Sequence, residues 1–182
     1  MIPKIIHYCW FGEKPLTNDV KRYIKTWKEK CPDYQIMQWN ESNFDVKINQ
    51  YVKEAYMEKK WAFVSDYVRL YALKMYGGIY LDTDVEVLKS FDEFLENKSF
   101  IGAESKFSVC TAVIGAEKGA SFIEELLDLY RDLRFLADGK IDDMPNSHRI
   151  YYFLQHKYNY NTTNIIYRIN LCNVYPSEYF SP

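Results

Sequence analysis

An apolar segment, residues 61–81, is interrupted by the pair Gly77-Gly78 and ends in Asp82-Thr83-Asp84. Its first part is apolar around most of a helical circumference, which predicts a buried helix over Trp61–Tyr76. Its second part, Ile79–Leu81, is a short apolar run that predicts a strand. A buried helix followed directly by a buried strand requires a layered fold in which helices cover a sheet.

The residues before this segment predict a strand, a helix and a second strand. The strands are expected over Pro3–Phe11 and Tyr34–Trp39, and the helix over Thr17–Lys30 with Thr17 as N-cap. The other expected elements are helices over Ile48–Lys59, Ala120–Leu136 and Ser147–His156, and strands over Phe100–Ala103, Val109–Ala116 and Ile165–Tyr175. Strands connected by helical crossovers predict an α/β fold.

Length and composition predict one globular domain over residues 1–182. The chain is 48% hydrophobic and 26% charged, which is the balance of a folded domain. It carries 23 Lys plus Arg against 25 Asp plus Glu, so no large basic field exists to attract a polyanion. We therefore expect no nucleic-acid partner.

The cysteines and the N-terminal segment predict the cellular compartment in which the protein works. Four widely spaced cysteines form no metal or redox motif, and buried free thiols are typical of a reducing compartment. The sequence MIPKIIHYCWFG lacks the cleavage site of a signal peptide, and no apolar run is long enough to span a bilayer. We expect a cytoplasmic protein that touches the inner face of a membrane at most peripherally.

The acidic pair Asp82 and Asp84 is a candidate metal site. In an extended backbone, residues i and i+2 point to the same side, so both carboxylates could face one cation. Mg²⁺ and Mn²⁺ take oxygen ligands, and Mg²⁺-type sites often combine one or two carboxylates with substrate phosphates. For an isolated Asp-x-Asp, a solvated turn is the favoured explanation. The end of a buried strand is, however, where open α/β sheets bind ligands.

Asp66 and Arg69 lie three residues apart in the apolar helix and so share one face. They form either a structural ion pair or the wall of a polar pocket, and the sequence favours neither. In a pocket, Arg69 would meet phosphate or hydroxyl oxygens and Asp66 would accept hydrogen bonds from a hexose. Ser65 is a minor candidate beside them.

A third group, His7, Tyr8 and Trp10, ends the first strand near the position expected for a nucleotide base. Trp10 could stack on the base. The alternative is that all three are core residues.

Several segments together identify a family resemblance: IPKIIHYCWFG, CPDY, the following WNE, KKWAFVSDYVRLYALKMYGGIYLDTDVEVLKS and VIGAEKG. They resemble the DXD-containing bacterial glycosyltransferases of family 32, many of which are capsular polysaccharide or lipopolysaccharide sugar transferases. The resemblance implies a GT-A fold with a mixed, mostly parallel sheet flanked by helices. It also implies a UDP-sugar donor, a saccharide or lipid-linked oligosaccharide acceptor, a divalent cation and retention of anomeric configuration.

Residue by residue, the resemblance makes Asp82 and Asp84 the metal-binding, catalytic DXD pair. Asp66 and Arg69 match the helix residues that hold the donor sugar, and Trp10 matches the aromatic residue that packs on the base. His7 and Tyr8 fall in the same nucleotide-binding segment.

Two features depart from the family pattern. Relatives carry an Asn near the sugar where this chain has VCTAVIGA, so Thr111 is the candidate replacement. Relatives also continue past a YPxxYF-type stretch into a segment with histidines that closes the site. The resemblance therefore implies either a domain truncated at its C-terminus or a site that is completed differently.

Two other functions remain open on the sequence. A metal-dependent phosphodiesterase could use the acidic pair, although two-metal sites need more converging ligands than we can place. A non-catalytic nucleotide-sugar or glycan-binding module is the third alternative.

Overall fold

A mixed sheet with helices on both faces forms the centre of the computed structural model, which describes residues 1–169 and 171–182. The helices are α1 Asn18–Lys30, α2 Gln50–Met57, α3 Trp61–Tyr76, α4 Ser121–Asp128 and α5 Asn146–Tyr158. The strands are β1 Ile5–Cys9, β2 Gln35–Trp39, β3 Gly78–Leu81, β4 Ser99–Ser105, β5 Ser108–Ala116, β6 Leu136–Ala137, β7 Lys140–Ile141, β8 Tyr167–Arg168 and β9 Asn173–Tyr175. The predicted α/β class is confirmed.

The order of the main sheet is β2-β1-β3-β5-β4-β9-β8. Strand β1 is parallel to β2 and β3, and β4 is parallel to β9. Strand β5 runs antiparallel to both β3 and β4. Because β2, β1 and β3 are parallel, their carboxyl ends lie at one edge of the sheet, and this edge carries Trp10 and Asp82.

Alternation along the strands divides the core into two apolar clusters. Cys9 and Tyr80 pack with residues from helices α2 to α5. Tyr8 and Leu81 pack in the other cluster, with α1 and the segment 85–95. Successive side chains of a strand point to opposite faces of its sheet, so adjacent residues of β1 and β3 contribute to different cores.

Gly77 and Gly78 connect α3 to β3 where the backbones approach closely. Both have positive φ, +66° and +106°, a region that disfavours side chains. A Cβ atom on Gly77 would lie 2.5 Å from the backbone nitrogen of Lys118, and one on Gly78 would lie 2.5 Å from the carbonyl oxygen of Ile5. The double glycine therefore sets where β3 enters the sheet beside β1.

The structure confirms most of the predicted elements. Helix α3 has the predicted bounds, and the Thr17 hydroxyl accepts the backbone N–H of Val20 at the start of α1. None of the helices in the described part of the chain is long and apolar enough to cross a bilayer.

The prediction of one helix over residues 120–136 is wrong, because α4 ends at Asp128. The amide of Asn49 donates to the carbonyl of Tyr130, and Glu54 accepts hydrogen bonds from Arg134 and from the backbone of Leu136. Contacts with α2 and its N-cap thus draw the chain out of the helix. The strand predicted over residues 165–175 is replaced by the short strands β8 and β9, and its residue 170 lies outside the described residues.

Candidate active site

The Asp82-Thr83-Asp84 segment lies in a turn immediately after β3. The backbone N–H of Asp82 still donates to Ala112 on β5, at 2.9 Å, and the N–H of Val85 donates to the carbonyl of Asp82 at 3.1 Å. The expectation of an extended backbone through this segment is therefore wrong. Asp82 and Asp84 nevertheless line the same cleft, whose volume is about 420 Å³.

Arg69 connects the cleft wall to the acidic pair. Its Nη2 atom lies 2.9 Å from Oδ1 of Asp66 and 3.3 Å from Oδ1 of Asp82. Its Nη1 donates to the carbonyl of Thr111 at 2.6 Å. The guanidinium carbon lies 4.6 Å from the centre of the Tyr80 ring, within cation–π distance. With only 4% of the residue exposed, Arg69 is fixed on all these sides.

Asp66 lies behind Arg69, away from the residues that line the cleft. Its side chain is 13% exposed. Burial raises the pKa of Asp66 to about 6, while the positive charge of Arg69 opposes this rise. The structure therefore places Asp66 as the buried partner of Arg69. The predicted ion pair is observed, and Arg69 of this pair also lines the cleft.

Trp10 also lines the cleft and lies in the loop between β1 and α1. Its indole N–H donates to the carbonyl of Lys14 at 2.7 Å, and Lys14 lines the same cleft. Gly12 lies against a second aromatic wall residue, Trp61, since an added Cβ atom would lie 2.9 Å from its ring. Two indole rings thus border the cleft.

His7 and Tyr8 do not line this cleft. His7 is fully buried, accepts the Trp39 indole N–H at Nδ1 and contacts the Gly77 carbonyl through Nε2. Tyr8 points to the opposite face of the sheet, where its hydroxyl donates to Gln38. Strand alternation and burial explain both positions, and neither residue belongs to the binding site proposed below.

Ser65 lines the cleft near Arg69, but its hydroxyl donates to the carbonyl of Trp61 at 3.0 Å. Its backbone carbonyl accepts from Nε of Arg69 at 3.3 Å. Thr111 likewise acts through its backbone carbonyl on Arg69. Both residues therefore position the guanidinium.

The ligand set of the acidic pair fits a cation of the magnesium type. Among the described residues, no group of three or more His, Cys, Asp and Glu side chains could enclose a metal ion. Tyr80 and Arg69 occupy Oδ1 of Asp82, which leaves its second oxygen and the exposed carboxylate of Asp84. Two carboxylates suffice for an ion that keeps water and phosphate ligands.

The cleft residues that the sequence did not identify include Tyr80, Trp61 and Lys14. Tyr80 donates its hydroxyl to Asp82, Trp61 forms part of the aromatic wall, and Lys14 adds a cation. Alternation could have identified Tyr80, because residues i and i+2 of a strand share a face. Trp61, at the start of α3, and Lys14, in the loop after β1, reach the cleft through tertiary packing that no local pattern encodes.

Residues 17–101 match a family model described as "Glycosyltransferase sugar-binding region containing DXD motif". The match covers just under half of the 182 residues. The matched stretch contains α1, α3 and the Asp82-Thr83-Asp84 turn.

Three similar proteins match a larger share of the chain than the family model does. Inositol phosphoceramide mannosyltransferase 3 of Schizosaccharomyces pombe is 29% identical over 144 residues, which cover 72% of this chain and 37% of that protein. Mannosyl phosphorylinositol ceramide synthase SUR1 of Saccharomyces cerevisiae is 28% identical, with coverage of 64% and 31%. The solved structure of the PaToxG glycosyltransferase has a TM-score of 0.58 and 25% identity, with coverage of 70% and 60%.

These matches support a glycosyltransferase, and the solved structure confirms the GT-A-like fold. The chain spans about a third of the length of the two fungal relatives. The activity and the substrates of the whole protein are therefore proposed in the next subsection.

Proposed function

We propose that the protein transfers a hexose from a nucleoside-diphosphate sugar to a saccharide acceptor, with the help of a divalent cation. The observation that carries this proposal is the placement of Arg69 against Asp82, in a cleft that also contains Asp84 and an aromatic wall. This arrangement offers a surface for a base, a site for a diphosphate and polar groups for a sugar.

Each part of the donor has a proposed partner. Trp10 and Trp61 would contact the base, since large aromatic rings provide apolar faces for stacking. Asp82 and Asp84 would hold Mg²⁺ or Mn²⁺ beside the diphosphate. When bound, the cation supplies Lewis-acid stabilisation of the leaving group. Arg69 would meet phosphate or sugar oxygens, and Asp66 would act on the sugar through Arg69.

The proposed reaction breaks the bond between the anomeric carbon and the β-phosphate oxygen, and the electron pair stays on that oxygen. The acceptor hydroxyl oxygen then bonds to the anomeric carbon, and its proton passes to the released phosphate. Attack from the side of the departing phosphate gives retention, as the family resemblance implies. No carboxylate of this chain is needed as general base in such a step.

The proposed hexose rests on the names of the relatives, and the proposed nucleotide and acceptor rest on the family resemblance. Both fungal relatives are named for mannosyl transfer, which supports mannose as the hexose. The resemblance to family 32 supports UDP as the nucleotide and a surface polysaccharide or lipid-linked oligosaccharide as the acceptor. An acceptor of the latter kind would bring the protein to the inner face of a membrane.

Incubation with a panel of UDP- and GDP-hexoses and Mn²⁺ tests the proposed function. A transferase releases nucleoside diphosphate and free sugar, with water as acceptor. Release of nucleoside monophosphate would indicate a phosphodiesterase and contradict the proposal. Binding of a nucleotide sugar without turnover would indicate the non-catalytic module.

A further inference from the structure

The donor cleft contains one exposed cation that the proposed function does not yet use. Lys14 lines the cleft together with Asp82 and Asp84, and its side chain is exposed. Among the residues that the structure describes, the other cation of the lining is Arg69, which is buried and paired with both Asp66 and Asp82. Lys14 makes no ion pair within the described part of the chain.

The charges of the cleft residues indicate which negative charge of the ligand Lys14 can balance. The charge of Arg69 is already balanced by Asp66, so a divalent cation would balance Asp82 and Asp84. The negative charge of the diphosphate is then left to Lys14. When the sugar departs, the terminal phosphate gains about one further negative charge near neutral pH, because its second pKa is about 6. The ammonium group of a flexible lysine can stay close to the phosphate as this negative charge increases.

The backbone around Lys14 is anchored on both sides. The Trp10 indole N–H donates to the Lys14 carbonyl at 2.7 Å, and the Gly12 N–H donates to Oε1 of Glu41 at 2.6 Å. These bonds fix the loop between β1 and α1, so Lys14 borders the cleft from an anchored backbone. The ring proposed for the base is therefore hydrogen-bonded to the backbone of the residue that carries the cation.

We infer that Lys14 binds the diphosphate of the donor and that it holds the released nucleoside diphosphate more strongly than the intact nucleotide sugar. This inference rests on the proposed function, because it takes the cleft as the donor site. Its consequence is specificity: the cleft selects diphosphate-linked sugars over nucleosides and monophosphate-linked sugars through the charge of one residue.

The test compares binding of UDP and uridine, and of GDP and guanosine, to the wild type and to Lys14→Gln in the presence of Mn²⁺. We expect Lys14→Gln to weaken binding of the nucleoside diphosphate about tenfold, in line with the loss of one charge-assisted hydrogen bond. Nucleoside binding should not change, and Lys14→Arg should retain most of the diphosphate affinity. Lys28→Gln, an exposed lysine on α1 outside the cleft, is the matched control.

Equal diphosphate affinity in Lys14→Gln and the wild type would overturn the inference, as would an equal loss for nucleoside and diphosphate. Because the readout is binding, it separates the two proposals. Nucleotide binding without sugar release would contradict the transferase activity. The effect of Lys14→Gln on diphosphate binding would still test the inference about Lys14. Absence of nucleotide binding by the wild type would overturn both.

Discussion

The hydroxyl of Tyr80 donates a 2.8 Å hydrogen bond to Oδ1 of Asp82, two residues further along the chain. Arg69 contacts the same oxygen from the other side, at 3.3 Å. Tyr80 projects from the face of β3 that packs against helix α3, and Arg69 lies on that helix. Asp82 is therefore held in one orientation, with its second oxygen left for a ligand. Side chains that orient a metal-binding carboxylate in this way tune its affinity for the ion.

Tyr80→Phe should weaken activation by Mn²⁺ about tenfold, because it frees Asp82 to rotate while the ring stays beside Arg69. The loss of one hydrogen bond should lower the free energy of unfolding by only about 1 kcal/mol. A Mn²⁺ titration of donor hydrolysis measures the first effect, and urea unfolding measures the second. Half-activation at an unchanged Mn²⁺ concentration would argue against an orienting role for Tyr80.

Asp84→Asn should reduce metal-dependent donor hydrolysis at least about 100-fold, since one of the two proposed carboxylate ligands loses its charge. Asp84 is exposed in a turn, so the thermal midpoint should stay close to that of the wild type. The matched control is Asp132→Asn, at an exposed acidic residue outside the cleft, which should alter neither quantity. Hydrolysis at the wild-type rate in Asp84→Asn would refute the assigned role.

Arg69→Met should lower the free energy of unfolding by about 3–5 kcal/mol, because it leaves the buried Asp66 without its partner. Burial already raises the pKa of Asp66 to about 6, and loss of the guanidinium should raise this pKa further. A raised native pKa means that the folded state binds the proton more readily than the unfolded state. The variant should therefore recover part of its stability between pH 7 and pH 5.

Urea unfolding of Arg69→Met at both pH values checks this expectation. Arg22→Met, at an exposed arginine of α1, serves as the control and should cost well under 1 kcal/mol. A loss below about 1 kcal/mol for Arg69→Met would show that the network around Asp66 does not depend on the buried pair.

The parts of the fold that were predicted correctly are those where local pattern and tertiary packing agree. Helix α3 is apolar on most sides and is buried on most sides, so its bounds could be derived from the sequence. The helix predicted to continue through Tyr130 failed because long-range hydrogen bonds, such as that from Asn49, compete with the helical ones. Such partners, 81 residues apart, leave no local signal.

The candidate site shows the same division. Asp82, Asp84 and Arg69 are identifiable because charged residues beside buried elements are unusual. Lys14 is an ordinary exposed lysine in the sequence, and only the fold brings it to the acidic pair. His7 was placed with the nucleotide because it lies near the strand end, whereas the fold covers it with Trp39 and Tyr76.

That burial gives His7 a measurable role in stability. Burial lowers the pKa of His7 to about 4, against the raising effect of its hydrogen bond to the Gly77 carbonyl. The Trp39 indole N–H donates to Nδ1, so the ring is neutral with its proton on Nε2. In the unfolded chain, His7 would take up a proton below pH 6.5.

Because the native pKa is depressed, the contribution of His7 to stability is fully present above about pH 6.5 and is lost as the pH falls towards 4. A shift of the His7 pKa from 6.5 to about 4 corresponds to about 3 kcal/mol of stability.

His7→Gln removes the titrating group and should flatten the profile of stability against pH across this range, although the stability of the variant at pH 7 should be lower. The shift of Asp66 acts in the opposite direction but is common to both proteins, so their difference isolates His7. Chemical unfolding of both proteins from pH 7 to pH 4 measures that difference, and parallel profiles would contradict a neutral, buried His7.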